Sequence, residues 1–292
     1  MSEYPCSYVS DGESGQISFP PFITQQDMDV LANEFIAQDN DLFVVTYPRS
    51  GTTWTEQIVH LILNQGEQGK QLLTDAAPWL ETLPKRPGGM NEFLLSLGGQ
   101  RLFTCHLPLV LMPGSTVIKG KYIYVARNPK DVAVSFYHAD RSKSGYAGTW
   151  DEYFSLFVDG KVMYGSYFEH VLPWWQASQK ADNILFLKYE DMKRDLVAVI
   201  RRITNFIDIP LNQTLLERVM AGSNFRAMAT SKKTNFNWVP QQEGVPKHYR
   251  KGIVGDWRKQ FSAEQNQLFD KVYIQEMSGT NLQFDFGDGL IR

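Results

Sequence analysis

The sequence predicts an α/β fold: a single domain with a central, mostly parallel sheet flanked by helices. Three observations predict it. Near-continuous apolar runs recur along the 292-residue chain, as strands buried on both faces require. Helical patterns separate them, and that alternation gives parallel strands joined by crossover helices. No internal repeat, low-complexity tract or linker divides the chain.

Taken in order, residues 1–20 are polar with Gly and Ser and are expected to form a loose lead-in, with residues 21–292 as the one domain. Leu42-Phe43-Val44-Val45 carries a strand over residues 42–47, and Ile58, Leu61 and Ile62 mark a helix over 53–64. Residues 66–100 are punctuated by Pro78, Pro84, Pro87, Gly88 and Gly89, which suits either a lid or a surface loop. Residues 101–106 are a weaker strand, and Tyr122-Ile123-Tyr124-Val125 marks a stronger one over 121–126. Pro129 suits the first turn of a helix over 129–139. A last strand, 184–189, precedes a helix over 191–207 with Leu196, Val199, Ile200, Ile203 and Ile207 on one face. Residues 229–252, with Asn235, Asn237, Pro240, Gly244 and Pro246, have no regular pattern and are read as a binding loop.

Composition narrows the class. A hydrophobic content of 43% and a charged content of 21% are those of an ordinary globular enzyme. The net charge of −3 argues against non-specific nucleic-acid binding. No apolar run approaches the ~20 residues of a bilayer span, and the N-terminus has no basic start or apolar h-region, so neither a membrane nor a secretory signal is expected. The only cysteines are Cys6 and Cys105, which fits a reducing, cytoplasmic compartment rather than a disulfide scaffold.

The chemistry concentrates at Thr46-Tyr47-Pro48-Arg49-Ser50-Gly51-Thr52-Thr53-Trp54. A buried strand ends there in a Gly- and hydroxyl-bearing loop that feeds a helix N-terminus. Backbone N–H groups and the positive end of the helix dipole then converge where an anion is welcome. Arg49 adds a fixed charge, and Ser50, Thr52 and Thr53 add hydroxyls. The site is P-loop-like, but no Lys follows Gly51 and no Gly lies five residues before it, so it is not the usual nucleotide-triphosphate loop. A second cation-bearing turn, Arg127-Asn128-Pro129-Lys130-Asp131 with Ser135 beyond, follows the 121–126 strand, at the carboxyl end where open α/β sheets bind ligands. A third segment, Arg250-Lys251-Gly252, places cations beside a glycine that lets backbone approach a ligand closely. Three such segments point to one nucleotide with separated anionic ends.

In this order and spacing, Y-P-R-S-G-T-T-W, R-N-P-K-D-V-A-V-S and R-K-G-I-V-G-D-W resemble the signature segments of the cytosolic sulfotransferases, and the similarity runs over about residues 20–285. The resemblance implies a single α/β domain, 3′-phosphoadenosine 5′-phosphosulfate (PAPS) as donor, adenosine 3′,5′-bisphosphate (PAP) as product, a small hydroxyl or amine acceptor and no metal. It implies that Arg49, Ser50, Gly51, Thr52 and Thr53 hold the phosphosulfate and that Trp54 lies against the adenine. Arg127, Ser135, Arg250, Lys251 and Gly252 would bind the 3′-phosphate, and Tyr189, Ser223 and Phe225 would line the adenosine pocket. His106, at a strand end beside Pro108, would be the general base, with Arg49 and Ser135 assisting. The acceptor pocket would include Trp79, Thr104, His106, Ala139 and Tyr249. Cys105 and His106 are adjacent on an expected strand, so their side chains point to opposite faces and form no thiol dyad.

Three departures from the pattern carry expectations. Arg49 replaces the usual Lys, keeping the charge on a planar fork. Thr104 replaces a Lys of phenol-sulfating members, and Ala139 replaces a bulky aromatic, which suggests a roomier, more polar acceptor pocket. The positions of the family's dimer motif hold Arg258, Ser262, Ala263 and Gln267 instead of Lys, Thr, Val and Glu, so a monomer or another interface is as plausible as the usual dimer. Two rivals remain. A P-loop kinase would want a Lys after Gly51 and a carboxylate for Mg²⁺ at a second strand end, and a protein that binds the nucleotide without turnover would keep only the donor site.

Overall fold

The computed structural model describes residues 4–10, 12, 15–114, 119–235 and 251–287. Its elements in chain order are β1 (Ser7–Ser10), β2 (Gln16–Phe19), α1 (Gln25–Glu34), β3 (Leu42–Thr46), α2 (Thr52–Leu63), α3 (Leu73–Ala76), α4 (Met90–Ser96), β4 (Leu102–Cys105), β5 (Lys121–Ala126), α5 (Pro129–Ala139), α6 (Trp150–Val158), α7 (Tyr167–Ser178), β6 (Ile184–Lys188), α8 (Tyr189–Arg194), α9 (Leu196–Phe206), α10 (Gln213–Ser223), α11 (Phe225–Thr230) and α12 (Ala263–Glu276).

The centre is a four-stranded sheet in the order β4-β3-β5-β6, parallel at every pairing. Every residue of β3 is buried, which explains the unbroken apolar run. Alternate side chains feed two cores. Leu42, Val44, Ile123 and Val125 pack with α2, α9 and α10 on one face, while Phe43, Val45, Tyr122 and Tyr124 pack with α5, α6, α7 and α12 on the other. The two helical layers cover the sheet as the sequence pattern requires. Among the described residues no helix is long and apolar enough to cross a membrane.

Several local expectations are corrected. The lead-in is not loose: β1 and β2 form an antiparallel hairpin whose Val9 and Phe19 are fully buried. A hairpin this short is marginal alone, and it is held by that burial and by Tyr164 N–H donating to Ser18 O. The helix expected over 191–207 is two helices. Asp195 breaks it at φ −144°, and its carboxylate caps α9 by accepting from Ala198 N–H. Residues 66–100 contain α3, a 3₁₀ turn at Leu80–Lys85 and α4 rather than one irregular loop. Of the 229–252 loop, residues 236–250 lie outside the described residues.

Candidate active site

The carboxyl ends of β3, β4, β5 and β6 open into one cavity of about 650 Å³. At the end of β3 the chain turns sharply. Arg49 takes φ 71°, an uncommon conformation for a residue with a Cβ, and Gly51 takes φ 112° as the N-cap of α2 without any side-chain cap. The first-turn N–H groups of α2 therefore lack a capping side chain. A Cβ on Gly51 would come within 2.9 Å of Tyr189 Cδ2, so glycine is required by backbone and neighbour alike.

The second cation-bearing turn lies alongside. Arg127, just after β5, sits 4.5 Å over the Tyr189 ring and donates through Nη2 to Ile253 O at 3.0 Å. Asp131, on the first turn of α5, accepts from Gly255 N–H at 2.8 Å and Trp257 N–H at 3.0 Å. This carboxylate ties the 251–257 segment to the sheet and thereby brings Lys251 and Gly252 to the cavity. A Cβ on Gly252, at φ 64°, would lie 2.9 Å from Phe225 Cδ2. Arg49 Nε donates to Ser135 Oγ at 3.1 Å, so α5 also orients the loop guanidinium.

The residues present fit an anionic nucleotide. Trp54 Nε1 and Arg127 Nε, on residues that line the cavity, are buried with no hydrogen-bond partner among the described residues, and orphaned buried donors of this kind call for a ligand acceptor. Of the expected nucleotide residues, Arg49, Gly51, Thr52, Thr53, Trp54 and Arg127 line the cavity, as do Ser135, Tyr189, Ser223, Phe225, Lys251 and Gly252. Ser50 is fully buried and is not among the residues that line the cavity. Arg250 lies outside the described residues, as does Tyr249.

His106 lies across the cavity, one residue past β4. Its Nδ1 is 2.9 Å from Thr46 O, and a carbonyl only accepts, so Nδ1 carries the proton and Nε2 is the basic nitrogen. Burial, partly offset by the bond to Thr46 and reinforced by the Arg49 charge, depresses the imidazole pKa to about 4, so the ring is neutral near pH 7. Its backbone is pinned on both sides. His106 N–H donates to Glu81 Oε1 at 2.7 Å, and His170 Nε2–H donates to His106 O at 2.9 Å. Cys105 points away: its Sγ lies 3.5 Å from Met112 Sδ, and burial pushes the thiol pKa up, so it is no nucleophile.

Trp79, Thr104 and Ala139 line the same end of the cavity as His106. Three further residues lie there, of which Glu56 went unnoticed in the sequence. Glu56, on α2, accepts a hydrogen bond from Thr104 Oγ1, and burial raises its carboxyl to about 7. Asp140, in the π turn after α5, accepts from Tyr4 and from Tyr153 and is likewise raised to about 7 by burial. Tyr164 packs against His106 with ring centroids 5.5 Å apart. An acid in the first turns of the helix that follows the anion-binding loop was the available signal for Glu56. Among the described residues no group of three or more His, Cys, Asp or Glu is placed to hold a metal ion.

Comparison with known proteins agrees with this geometry. The profile of the Sulfotransferase domain family matches residues 39–281. Sulfotransferase 1C2 of Rattus norvegicus is 38% identical over 260 residues, covering 86% of this chain and 87% of that protein. Sulfotransferase 1B1 of Mus musculus is 39% identical over 261 residues, covering 86% and 87%. Among solved structures, retinol dehydratase in complex with retinol and PAP superposes with a TM-score of 0.83 at 26% identity, over 97% of this chain and 93% of that one. Mouse sulfotransferase SULT7A1 complexed with PAP gives 0.76 at 30% identity, over 91% and 94%. A cavity built for an anionic nucleotide and a family profile spanning most of the sequence lead to one conclusion: this chain belongs to the sulfotransferase family, whose enzymes transfer a sulfuryl group from PAPS.

Proposed function

We propose that the protein moves a sulfuryl group from PAPS to a hydroxyl or amine of a small molecule in one direct, in-line step, with His106 as general base. Bound PAPS supplies a sulfuryl group activated by its phosphate anhydride. The chain's residues do the remaining work. His106, neutral and tautomerically fixed by Thr46, takes the acceptor proton at Nε2. Arg49, held by Ser135, and the uncapped N–H groups of α2 stabilise negative charge on the departing phosphate. Arg127, Lys251 and the residues outside the described set bind the 3′-phosphate. Nearby, Trp79, Thr104 and Ala139 shape the acceptor chamber, with Tyr249 as a further member. The retinol held with PAP by retinol dehydratase supports a small hydroxyl compound as acceptor. Function in the cytoplasm as a monomer, or as a dimer using another surface, completes the reading.

The observation that carries this reading is the single proton placement at His106, since a base needs a free, correctly aimed lone pair before any pKa argument applies. His106→Ala should lose ~10²–10⁴-fold in turnover while calorimetric PAP affinity is unchanged. Equal turnover in that variant would remove His106 as base. A preference for ATP with Mg²⁺ over PAP would remove the donor assignment.

A further inference from the structure

The sheet order divides the cavity. Residues 49–54, Arg127 and Tyr189 follow β3, β5 and β6, whereas Thr104 lies on β4, the edge strand beside β3, and His106 just past its end. Glu56 faces this β4 side. Four residues after Thr52 on α2, it lines the cavity and accepts from Thr104 Oγ1, which also lies 3.2 Å from Ala77 O.

Glu56 is only 4% exposed, yet no cation is paired with it among the described residues. The cavity's cations have other tasks. Arg49 and Arg127 serve the loop and β5 turn, Lys143 belongs to the π turn that carries Asp140, Lys251 pairs with Asp256 at 2.9 Å, Arg86 lies 4.4 Å over Phe93 and Lys193 lies 5.6 Å over Trp54. A buried carboxyl facing a void with one hydroxyl as its partner is costly, and an entering cation removes that cost. The walls beside it suit the same guest. Phe22 and Trp79 meet edge to face at 5.7 Å, Trp79 and His106 at 5.7 Å, and Tyr164 closes the far side of His106. Aromatic faces stabilise organic ammonium groups and suit the apolar body that carries them. Asp140 contributes a second carboxyl to the same chamber.

We propose that Glu56 is a specificity-determining residue for an organic cation: an acceptor whose sulfated hydroxyl or amine lies at His106 and whose separate ammonium or guanidinium group seats against Glu56 within the Trp79–Tyr164 walls. The proposal rests on the sulfotransfer reading above and names its acceptor class.

The test is equilibrium binding to the PAP-saturated enzyme with three probes that share one phenol: tyramine, 4-ethylphenol and 3-(4-hydroxyphenyl)propionate. The wild type is expected to bind tyramine at least about tenfold more tightly than 4-ethylphenol, a difference of about 1.4 kcal/mol, and the propionate least. Glu56→Gln keeps the shape and should abolish the preference while PAP affinity, measured alone, is unchanged. Equal binding of tyramine and 4-ethylphenol by the wild type overturns the proposal without recourse to any variant. Preference for the propionate, or a tyramine preference that survives Glu56→Gln, overturns it as well. Absence of PAP binding instead fails the sulfotransfer reading, so the two failures are distinguishable.

Discussion

Replacing Glu56 by Gln should change stability in a way that depends on pH. Burial raises this carboxyl from 4.5 to about 7. A carboxyl raised on folding binds more protons in the folded chain than in the unfolded one, so stability falls as pH rises through the window between those values. Below about 4.5 the group is protonated in both states and costs nothing. Above about 7 it is charged in both, and at about 1.36 kcal/mol per pH unit the folded state has then lost about 3 kcal/mol. Gln keeps the shape and cannot ionise. Glu56→Gln should therefore be more stable than wild type by about 3 kcal/mol at pH 8, a rise in melting temperature of roughly 5 °C for a chain this long. By pH 5 the difference should shrink to below about 1 kcal/mol. Glu81, Asp140 and Glu190 are also raised to about 7 by burial, so absolute profiles are composite. The difference between variant and wild type, from urea unfolding of the nucleotide-free protein at both pH values, cancels those contributions. A pH-independent difference, or a loss of stability at pH 8, would refute the reasoning. Stability given up at neutral pH for a group that faces a ligand is a familiar trade at binding sites.

Other perturbations test other parts of the site. Gly51→Ala would force a Cβ against Tyr189 at φ 112°, and the strain of about 1–3 kcal/mol should weaken PAP binding at least about tenfold by calorimetry; unchanged affinity would mean that the loop relaxes freely. With its pKa depressed to about 4, His106 stays deprotonated below pH 6.5, so kcat/KM for the donor should hold at pH 6, and a fall with a midpoint at 6.5 would contradict the buried geometry. Tyr4→Phe removes one donor from Asp140 and should raise the acceptor KM several-fold while PAP affinity stays constant; a loss of PAP affinity instead would place the effect elsewhere. Arg49→Lys keeps the charge but gives up the planar Nε contact to Ser135, and a substantial rise in kcat would identify the native Arg as a compromise.

The framework was legible because its signals are local. The apolar β3 and β5 runs, Gly51 with its flanking hydroxyls and Pro129 at a helix start each declare their role within a few residues. What sequence reading missed depends on partners far along the chain. Nothing around Tyr4 announces a bond to Asp140, 136 residues away, and the short hairpin strands have too few residues to display a period. Asp195 was absorbed into a helical pattern because Leu196, Val199, Ile200 and Ile203 keep the apolar spacing past the break. Glu56 was passed over because its meaning depends on Thr104, across the sheet. His106 was singled out by the family resemblance and by its place at a strand end, but the tautomer on which its proposed role depends follows only from the Thr46 carbonyl.

The hairpin at the start of the chain has a consequence for the order in which the molecule matures. Tyr4 reaches Asp140 and the backbone of Met163, and Pro20 and Phe22 form part of the chamber wall. These contacts span long stretches of sequence and carry a high loop-closure cost, so they belong among the later ones to form. The loop after β3 needs no such return. A molecule trimmed at its first residues, or carrying a bulky affinity tag there, would accordingly still recognise nucleotide while presenting a misshapen acceptor chamber. Retention on a nucleotide column is thus an insufficient criterion of intact protein.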